Sequence, residues 1–488
     1  MSVLVIGAGV NELACAHALA RAGCRVLVLE PRPTDGDALP ESGWMPPRIV
    51  HELKLEGRGL NIQHLDPWAA VPLDGGGCLE LWRDMGRSVD AIRRLSPRDA
   101  AKWPEFCGRM GRLARLLERL YIKPPPDLMS RNLGDVAQLA VLGFRARRLG
   151  RQGIGDLLRL LPMSIADWLD DWFESDALKG VLGAAGVMHL HQGPRSGGTA
   201  FVLLHHHVGS PSGVFRPPLS NLRCVLAELP GVEIRRGAEV ARITVREGRA
   251  AGVVLANGDE IPASLIVSGA DPRRTLLRLV DPGWIDPEVV RAVRHIRCRG
   301  VVARVTLVLD RAPGFATLVV APSLDYIERA YDDAKYGRVS RRPYLEAVAA
   351  GRAADGRQRV EVHVQYAPYA LADGEWDDDR RRALGDLTVK VLSQHLPHFT
   401  AAVVTRVLSP SDLEELEGWP EGQAYHAELA LDQALWMRPL PALARYRTPI
   451  DGLYLCGPGT HPGGGIAGAA GHNAARQIIR DLRKRGGN

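Results

Sequence analysis

The sequence predicts an α/β protein in which one discontinuous domain, built on a parallel sheet, carries an inserted α+β domain. Apolar runs typical of strands buried on both faces lie at 2–6, 25–30 and 453–456, near the two ends of the chain. Helical and mixed segments separate them, and 488 residues are too many for one hydrophobic core. We therefore expect the intervening segments to form a second domain.

Five segments follow from this pattern. The parallel-sheet domain takes 1–75, 215–275 and 441–488, and the inserted domain takes 76–214, which is mainly helical, and 276–440. Within them, alternation and composition predict strands near 301–310 and 359–368, a helix at 377–395, and a hairpin turn at Asn257–Gly258.

The composition is that of an ordinary soluble protein, with 46% hydrophobic and 24% charged residues. The net charge of +6 comes from arginines scattered along the chain, which argues against a nucleic-acid partner. Seven cysteines without a CxxC pair indicate reduced thiols and a cytoplasmic location. Because no run approaches the ~18–20 apolar residues of a membrane span, we expect at most a peripheral membrane contact.

A strand, a glycine turn, a helix and a second strand follow one another at the N-terminus. The turn contains Gly7, Ala8, Gly9 and Asn11, and Glu30 ends the second strand. In a dinucleotide site the glycines permit the turn and let backbone approach a pyrophosphate, while the acid bonds a ribose diol. The order of these parts predicts such a site, and the acid disfavours NADP, whose 2′-phosphate it would repel.

Glu12 replaces the third glycine of the G-x-G-x-x-G pattern. That glycine normally lets the helix lie close to the sheet, whereas a carboxylate adds volume and negative charge. A charge about 5 Å from a pyrophosphate would cost on the order of 3 kcal/mol at an effective dielectric constant of about 20. We expect Glu12 to turn away or to pair with an arginine.

A second glycine-rich strand-to-helix turn lies near the C-terminus. Residues 454–479 read YLCGPGTHPGGGIAGAAGHNAARQII, with a helical pattern from Ile466 onward. Two such turns can hold the two ends of one long ligand. A helix N-terminus beside the N1/C2 edge of a flavin stabilises the reduced ring, so this second turn favours FAD.

These residues resemble the phytoene desaturase-like branch of FAD-dependent proteins with the amine-oxidase fold. The resemblance covers nearly the whole chain and is closest to the pyridine nucleotide-disulfide oxidoreductase-domain proteins. It implies a Rossmann-like, two-dinucleotide-binding FAD domain. The stretches that carry it are GLYLCGPGTHPGGGIAGAAGHNAA, YHAELALDQALWMRPLP, GTAFVLLHHH, MSIADWLDDWFESDALKGVL and IVSGADPRRTLLRLV.

The fingerprint and the resemblance together give the predicted FAD contacts. These are Gly7, Ala8, Gly9, Asn11, Glu12, Glu30, Val240, Gly269, Gly457, Gly464, Gly465 and Ile466. The resemblance implies that Val240 meets the adenine through its backbone. The chain departs from the family pattern at Glu12, at Gly36–Asp37 in place of a double glycine, and at 213–218 in place of a GGMG-like stretch.

His461 and His426 are the candidate catalytic residues. His461 lies in the C-terminal glycine turn, and the resemblance places His426 near the substrate side. Either imidazole can take a proton at neutral pH. The competing interpretation, that His461 caps the turn and His426 is packed in the core, stays open.

Two further patterns each have a structural and a functional interpretation. Five histidines crowd residues 189–207, but no carboxylate or cysteine joins them at ligand spacing, so a structural or cavity-lining role is favoured over a metal site. The basic stretch at 143–153 predicts either an exposed helix end, which is favoured, or contact with an anionic membrane or the entry of a lipophilic substrate.

These patterns predict an FAD-dependent oxidoreductase that takes a hydride from a C–C or C–N bond of an apolar or amphiphilic small molecule onto flavin N5. Oxygen or a quinone would then reoxidise the flavin. Two alternatives stay open. One is a flavin-fold protein with weakened FAD binding that acts as a non-catalytic binding or assembly partner. The other is a flavin-dependent isomerase without net redox change.

Overall fold

The computed structural model describes residues 2–33, 41–73, 75–127 and 132–486. The strands are β1 (Ser2–Ile6), β2 (Arg25–Glu30), β3 (Glu41–Ser42), β4 (Ile62–Gln63), β5 (Ala69–Pro72), β6 (Cys78–Leu81), β7 (Leu219–Ser220), β8 (Glu233–Arg236), β9 (Val240–Arg246), β10 (Arg249–Leu255), β11 (Glu260–Pro262), β12 (Ile266–Ser268), β13 (Val302–Leu309), β14 (Thr317–Val320), β15 (Tyr344–Arg352), β16 (Gln358–Gln365), β17 (Val403–Leu408) and β18 (Leu453–Leu455).

Helices lie between these strands. They are α1 (Val10–Arg21), α2 (Pro47–Leu53), α3 (Met85–Arg93), α4 (Pro97–Tyr121), α5 (Leu133–Arg148), α6 (Gly150–Leu160), α7 (Ile165–Asp170), α8 (Asp176–Val187), α9 (Thr199–His207), α10 (Leu222–Glu228), α11 (Pro272–Arg274), α12 (Pro287–Arg294), α13 (Leu324–Lys335), α14 (Asp378–His395), α15 (Pro410–Glu417) and α16 (Ala469–Gly486). In the parts of the chain that the structure describes, no helix combines the length and hydropathy needed to cross a bilayer.

A parallel sheet of five strands forms the first domain, in the order β18-β12-β1-β2-β8. Its central side chains, such as Val5 and Val28, are fully buried because helices and loops cover both faces. From β1 the chain builds outward to β2 and β8 on one side, and later to β12 and β18 on the other. The direction of building thus reverses between β1 and β12. Ligands of open α/β sheets bind at the carboxyl ends of the strands beside such a reversal.

A larger, mostly antiparallel sheet carries the second domain, in the order β17-β13-β16-β15-β14-β5-β6. The strands predicted near 301–310 and 359–368 are β13 and β16, which pair directly, and the predicted helix at 377–395 is α14. Strand β5 precedes the expected boundary at residue 75, yet it pairs with β6 and, in parallel, with β14.

Two small antiparallel sheets, β11-β10-β9 and β3-β7-β4, complete the described part of the first domain. Asn257 and Gly258 lie in the turn that joins β10 to β11, where Gly258 has a φ of +91°. The predicted fold class, an α/β chain with a discontinuous parallel-sheet domain and an inserted α+β domain, is confirmed.

Candidate functional site

Three strand ends meet at one edge of the parallel sheet. Gly7 follows β1, Gly269 follows β12 and Gly457 lies just beyond β18. The Gly7 N–H donates to the Leu29 carbonyl (2.8 Å), which fixes the turn against β2. Gly7 has a φ of +94°, a conformation that favours glycine. The crevice between β1 and β12 therefore opens beside these glycines.

The side chain of Glu12 lies in this crevice. Glu12 is only 5% exposed, and a Cβ added to Gly9 or to Gly269 would overlap its side chain. A Cβ on Gly457 would come within 3.4 Å of its Oε1. Glu12 thus faces the crevice, so the expectation that it turns away is wrong, whereas its pairing with an arginine stays a prediction. Gly9 and Gly269 leave the room that this carboxylate fills, whereas Gly457 packs on the Gly269 carbonyl.

Glu30, at the end of β2, is buried and bonded within the protein. Its Oε2 accepts a hydrogen bond from the Ala8 N–H (2.8 Å), and its Oε1 accepts one from Arg32 Nε (2.6 Å). Arg32 also bonds Glu417 at the end of α15 (2.5 Å). Burial opposes the charge on Arg32, but the two carboxylates outweigh it and raise its pKa above the usual value.

Val240 is brought close to the same region by backbone pairing. The Ala238 N–H donates to the Glu30 carbonyl (2.9 Å), and Val240 begins β9 two residues later. Asn11 lies in the first turn of α1, and its Oδ1 is buried without a hydrogen-bond partner. Of the predicted FAD contacts, Val240 therefore lies near the end of β2 and Asn11 at the start of α1.

The C-terminal glycine turn is held from three sides. The Gly464 carbonyl accepts a hydrogen bond from His205 Nε2 (2.8 Å), and the Gly465 carbonyl accepts one from the Trp44 N–H (2.9 Å). The ring of Tyr425 lies directly on Gly464, where a Cβ would overlap it. Glycine is thus required at 464 because an aromatic ring of the chain itself rests on the backbone.

Helix α16 begins at Ala469, three residues after the predicted start at Ile466. The Ala467 N–H bonds the Trp44 carbonyl (2.9 Å), and Gly468 has a φ of +72°, so regular helical bonding starts only afterwards. A Cβ on Gly471 would overlap the Asn11 carbonyl of α1. The structure therefore brings the two glycine turns together through the close contact of α1 with α16.

Arg438 stabilises the C-terminal glycine turn. This role was not predicted from the sequence. Its guanidinium is fully buried and donates to five backbone carbonyls, the shortest bonds being to Tyr425 (2.7 Å) and Pro458 (2.8 Å). Burial lowers its pKa to about 10, so it stays charged at neutral pH. The only signal in the sequence was an arginine between apolar residues in LWMRPL.

The two candidate catalytic histidines are both buried. His461 Nε2 donates to the Leu120 carbonyl (3.1 Å), and burial lowers the pKa of His461 to about 4. Burial also lowers the pKa of His426 to about 3. Both rings are therefore neutral at pH 7, and the Nδ1 of each has no hydrogen-bond partner. A role for either as a base stays a prediction.

The other clustered histidines bond different partners. In α9, His205 Nδ1 bonds the Tyr121 hydroxyl (2.9 Å), His206 Nε2 bonds the Tyr425 hydroxyl (3.1 Å), and His207 Nδ1 bonds the Val214 carbonyl (2.7 Å). His189 and His191 lie in an irregular segment after α8. Within the described ranges, no group of three or more His, Cys, Asp or Glu side chains is placed to hold a metal ion.

A small, mainly apolar cavity lies between α8, residues 215–217 and strands β14 and β15. Its walls include Trp68, Phe215 and His206. One ion pair, between Arg216 and Glu346 (2.5 Å), is the charged part of its lining. Because His206 bonds the Tyr425 hydroxyl and Tyr425 rests on Gly464, the cavity is separated from the glycine turn by these two side chains.

The remaining departures from the family pattern have different outcomes. Gly36 and Asp37 lie outside the described residues. In the stretch at 213–218, Phe215 stacks on His207 with ring centroids 4.4 Å apart, and Arg216 supplies the cavity with its cation. This stretch therefore builds a wall of the cavity.

Comparison with known proteins identifies the family. A model of the flavin containing amine oxidoreductases matches residues 80–479. Pyridine nucleotide-disulfide oxidoreductase domain-containing protein 2 of Rattus norvegicus is 31% identical, over 98% of this chain and 93% of its own. Hydroxyneurosporene desaturase of Cereibacter sphaeroides is 27% identical, over 99% of this chain and 98% of its own. A triple mutant of putrescine oxidase shares the fold, with a TM-score of 0.61 and 16% identity over 99% of both chains.

The family model covers most of the chain and includes the C-terminal glycine turn. The predicted resemblance to phytoene desaturase-like proteins is confirmed by the desaturase among these relatives. The chain therefore belongs to the flavin containing amine oxidoreductases and is an oxidoreductase whose cofactor is FAD.

Proposed function

We propose that this oxidoreductase dehydrogenates a C–C or C–N bond of an apolar or amphiphilic small molecule. The family of the chain and the desaturase among its relatives carry the proposal. The cavity beside His206, with its apolar walls and its Arg216–Glu346 ion pair, is the candidate substrate end of the site; at about 20 Å³ it has room for one water molecule and must widen to admit a substrate. Apolar walls favour a hydrocarbon body, and a buried ion pair offers one polar end with which a head group can exchange hydrogen bonds. The desaturase among the relatives supports a substrate of this class.

The site fits FAD in all its main parts except one. Gly7 and Gly9 leave backbone exposed to a pyrophosphate, Glu30 stands at the end of β2, and the turn at 463–466 lies across the crevice. The exception is Glu12, whose carboxylate fills the crevice between the strand ends. FAD therefore fits once the Glu12 side chain has rotated out of the crevice.

When bound, FAD supplies a hydride acceptor at N5 and passes the electrons on to oxygen or a quinone. The residues of this chain would do the rest: the apolar walls exclude water, and the ion pair orients the substrate. His426 and His461 are the proposed proton acceptors, each through its unpartnered Nδ1. Their low pKa values mean that neither would be protonated before the substrate arrives.

The test is anaerobic bleaching of the protein saturated with FAD. Terpene alkenes, long-chain amines and short hydrophilic amines would be added in turn, and the visible absorption of the oxidised flavin recorded. Bleaching by an apolar or amphiphilic compound, with none by the hydrophilic amine, supports the proposal. Flavin that dithionite reduces but no apolar compound bleaches would contradict it, and product formed without bleaching under reducing conditions would favour the isomerase.

We also propose that α5 touches an anionic membrane from which a lipophilic substrate would enter. Of its residues only Asp135 is buried, whereas Phe144 is 60% and Val141 48% exposed. Arg147 and Arg148 are exposed at its C-terminal end. Exposed apolar side chains beside arginines match the headgroup boundary of an anionic bilayer.

Vesicle flotation tests this contact. The protein should float with phosphatidylglycerol vesicles at low salt and stay behind with phosphatidylcholine vesicles. The double variant V141S/F144S should lose flotation, whereas Trp284→Ser, which removes an exposed apolar side chain elsewhere, should keep it. Protein that remains in the lower fraction with both kinds of vesicle would refute the contact.

A further inference from the structure

We propose that Glu12 is a built-in competitor of the cofactor: its carboxylate occupies the place that the FAD pyrophosphate takes, and FAD binds only by displacing it. This inference deepens the proposed function because it concerns control of the same site. It needs only that FAD enters the crevice between β1 and β12, and it does not depend on which substrate is oxidised.

The Glu12 side chain lies where a dinucleotide would bind. The Glu12 side chain lies between Gly9, at the start of α1, and Gly269, at the end of β12. The strand order reverses between β1 and β12, and the crevice at such a reversal is where this class of sheet receives a dinucleotide. The carboxylate therefore lies inside the crevice, with 5% of the residue exposed.

The Glu12 carboxylate also matches the space that Gly9 and Gly269 leave. A Cβ on Gly9 or Gly269 would overlap Glu12, and one on Gly457 would lie 3.4 Å from Oε1. These are glycines at which the sequence predicts backbone contact with FAD. In this structure the space above Gly9 and Gly269 is taken by one side chain, so a pyrophosphate and the Glu12 carboxylate cannot occupy it together.

The charge of Glu12 lies at the N-terminus of α1. Gly9 is the N-cap of α1 and Glu12 is the third residue of the helix, a position from which glutamate reaches back towards the cap. The first N–H groups of a helix attract anions, and a carboxylate satisfies them as a phosphate does. The Glu12 carboxylate thus takes the place of a phosphate at the N-terminus of α1. Its charge also repels a pyrophosphate that approaches.

The experiment measures FAD affinity without substrate, by quenching of flavin fluorescence and by the shift of the melting temperature. Glu12→Gly should bind FAD roughly 100-fold more tightly than the unaltered protein, from the repulsion of charges about 5 Å apart. Glu12→Gln, which keeps the volume and removes the charge, should fall between them. Glu228→Gln, at an exposed carboxylate of α10, should bind FAD as the unaltered protein does.

Two fragments of the cofactor locate the effect. ADP carries the adenosine and the diphosphate, so its affinity should rise in Glu12→Gly. Riboflavin carries the ring without phosphate, so its affinity should not change. An equal gain for both fragments would show a general loosening of the site and would overturn the proposal.

The proposal also fails if the unaltered protein binds FAD as tightly as both Glu12 variants do. Circular dichroism and the melting temperature without ligand show whether each variant is folded, and the near-isosteric Glu12→Gln carries the test if Glu12→Gly is not. A variant that binds FAD tightly but oxidises no apolar compound would refute the proposed function and leave this inference intact.

Discussion

Arg438 shows how one buried side chain organises the C-terminal part of the site. Its guanidinium bonds carbonyls from Tyr425 to Gln433 and also the Pro458 carbonyl in the glycine turn. These carbonyls belong to segments without regular secondary structure, so they have no ladder or helix to satisfy them. The arginine replaces such a ladder and fixes Tyr425 over Gly464.

Replacing Arg438 with methionine should therefore lower the free energy of unfolding by at least about 3 kcal/mol, because several buried carbonyls lose their donor. Urea denaturation followed by fluorescence measures the change. The matched control is Arg159→Met, which removes an exposed ion pair with Asp171 and should cost about 1 kcal/mol or less. Equal losses in the two variants would contradict the role given to Arg438.

At the scale of elements, the contact between α1 and α16 joins the two ends of the site. Gly471 of α16 lies against the backbone of α1 at Asn11, and Gly468 lies near Ala14 and Met45. Small residues let the two helices approach closely, as the tight packing of backbone on backbone requires. The distance between the two glycine turns is therefore set by this contact.

Gly471→Ala should lower stability by roughly 1–3 kcal/mol, because the new methyl group meets a backbone carbonyl that cannot move aside. Gly155 of α6 provides the control, since a Cβ there would meet nothing within 4 Å. Gly155→Ala should raise stability by up to about 1 kcal/mol through helix propensity. Melting temperatures that fall for both or for neither would refute this account of the helix contact.

At the scale of the whole molecule, the buried histidines link stability to pH. Burial lowers the pKa of His189, His205 and His426 to about 3, and that of His207 and His461 to about 4. In the unfolded chain a histidine titrates near 6.5, so below that pH the unfolded state binds more protons. Stability should then rise with pH between about 5 and 6.5 and fall as the solution is acidified.

Each such histidine contributes at most about 1.4 kcal/mol per pH unit in this window. Urea denaturation at pH 5, 6 and 7 measures how the free energy of unfolding changes with pH. In His207→Gln this slope should fall by the contribution of about one proton. A free energy of unfolding that is flat from pH 7 to pH 5 would contradict the predicted burial of these rings.

Local patterns in the sequence predicted the elements whose signal lies within a few residues. The apolar runs gave β1 and β2, alternation gave β13 and β16, and acids at the start of a helical pattern gave α14. The glycine turns were recognised for the same reason, because strand, turn and helix are contiguous.

Features that depend on distant residues were not predicted. The membership of β5 in the large sheet depends on its pairing with β14, which lies about half the chain away. The position of Tyr425 on Gly464 and the direction of Glu12 depend on space left by glycines from other segments. Which side chain fills a crevice is decided by tertiary packing, and no local periodicity reports it.

The strand order of the parallel sheet has a consequence for biosynthesis. β12 is flanked by β1, which precedes it in the chain, and by β18, at residues 453–455. Until β18 has been translated, one edge of β12 has no neighbour, and α16 cannot yet cover α1. An open strand edge invites pairing with other chains, so this sheet is most exposed to mispairing in the interval before β18 is translated.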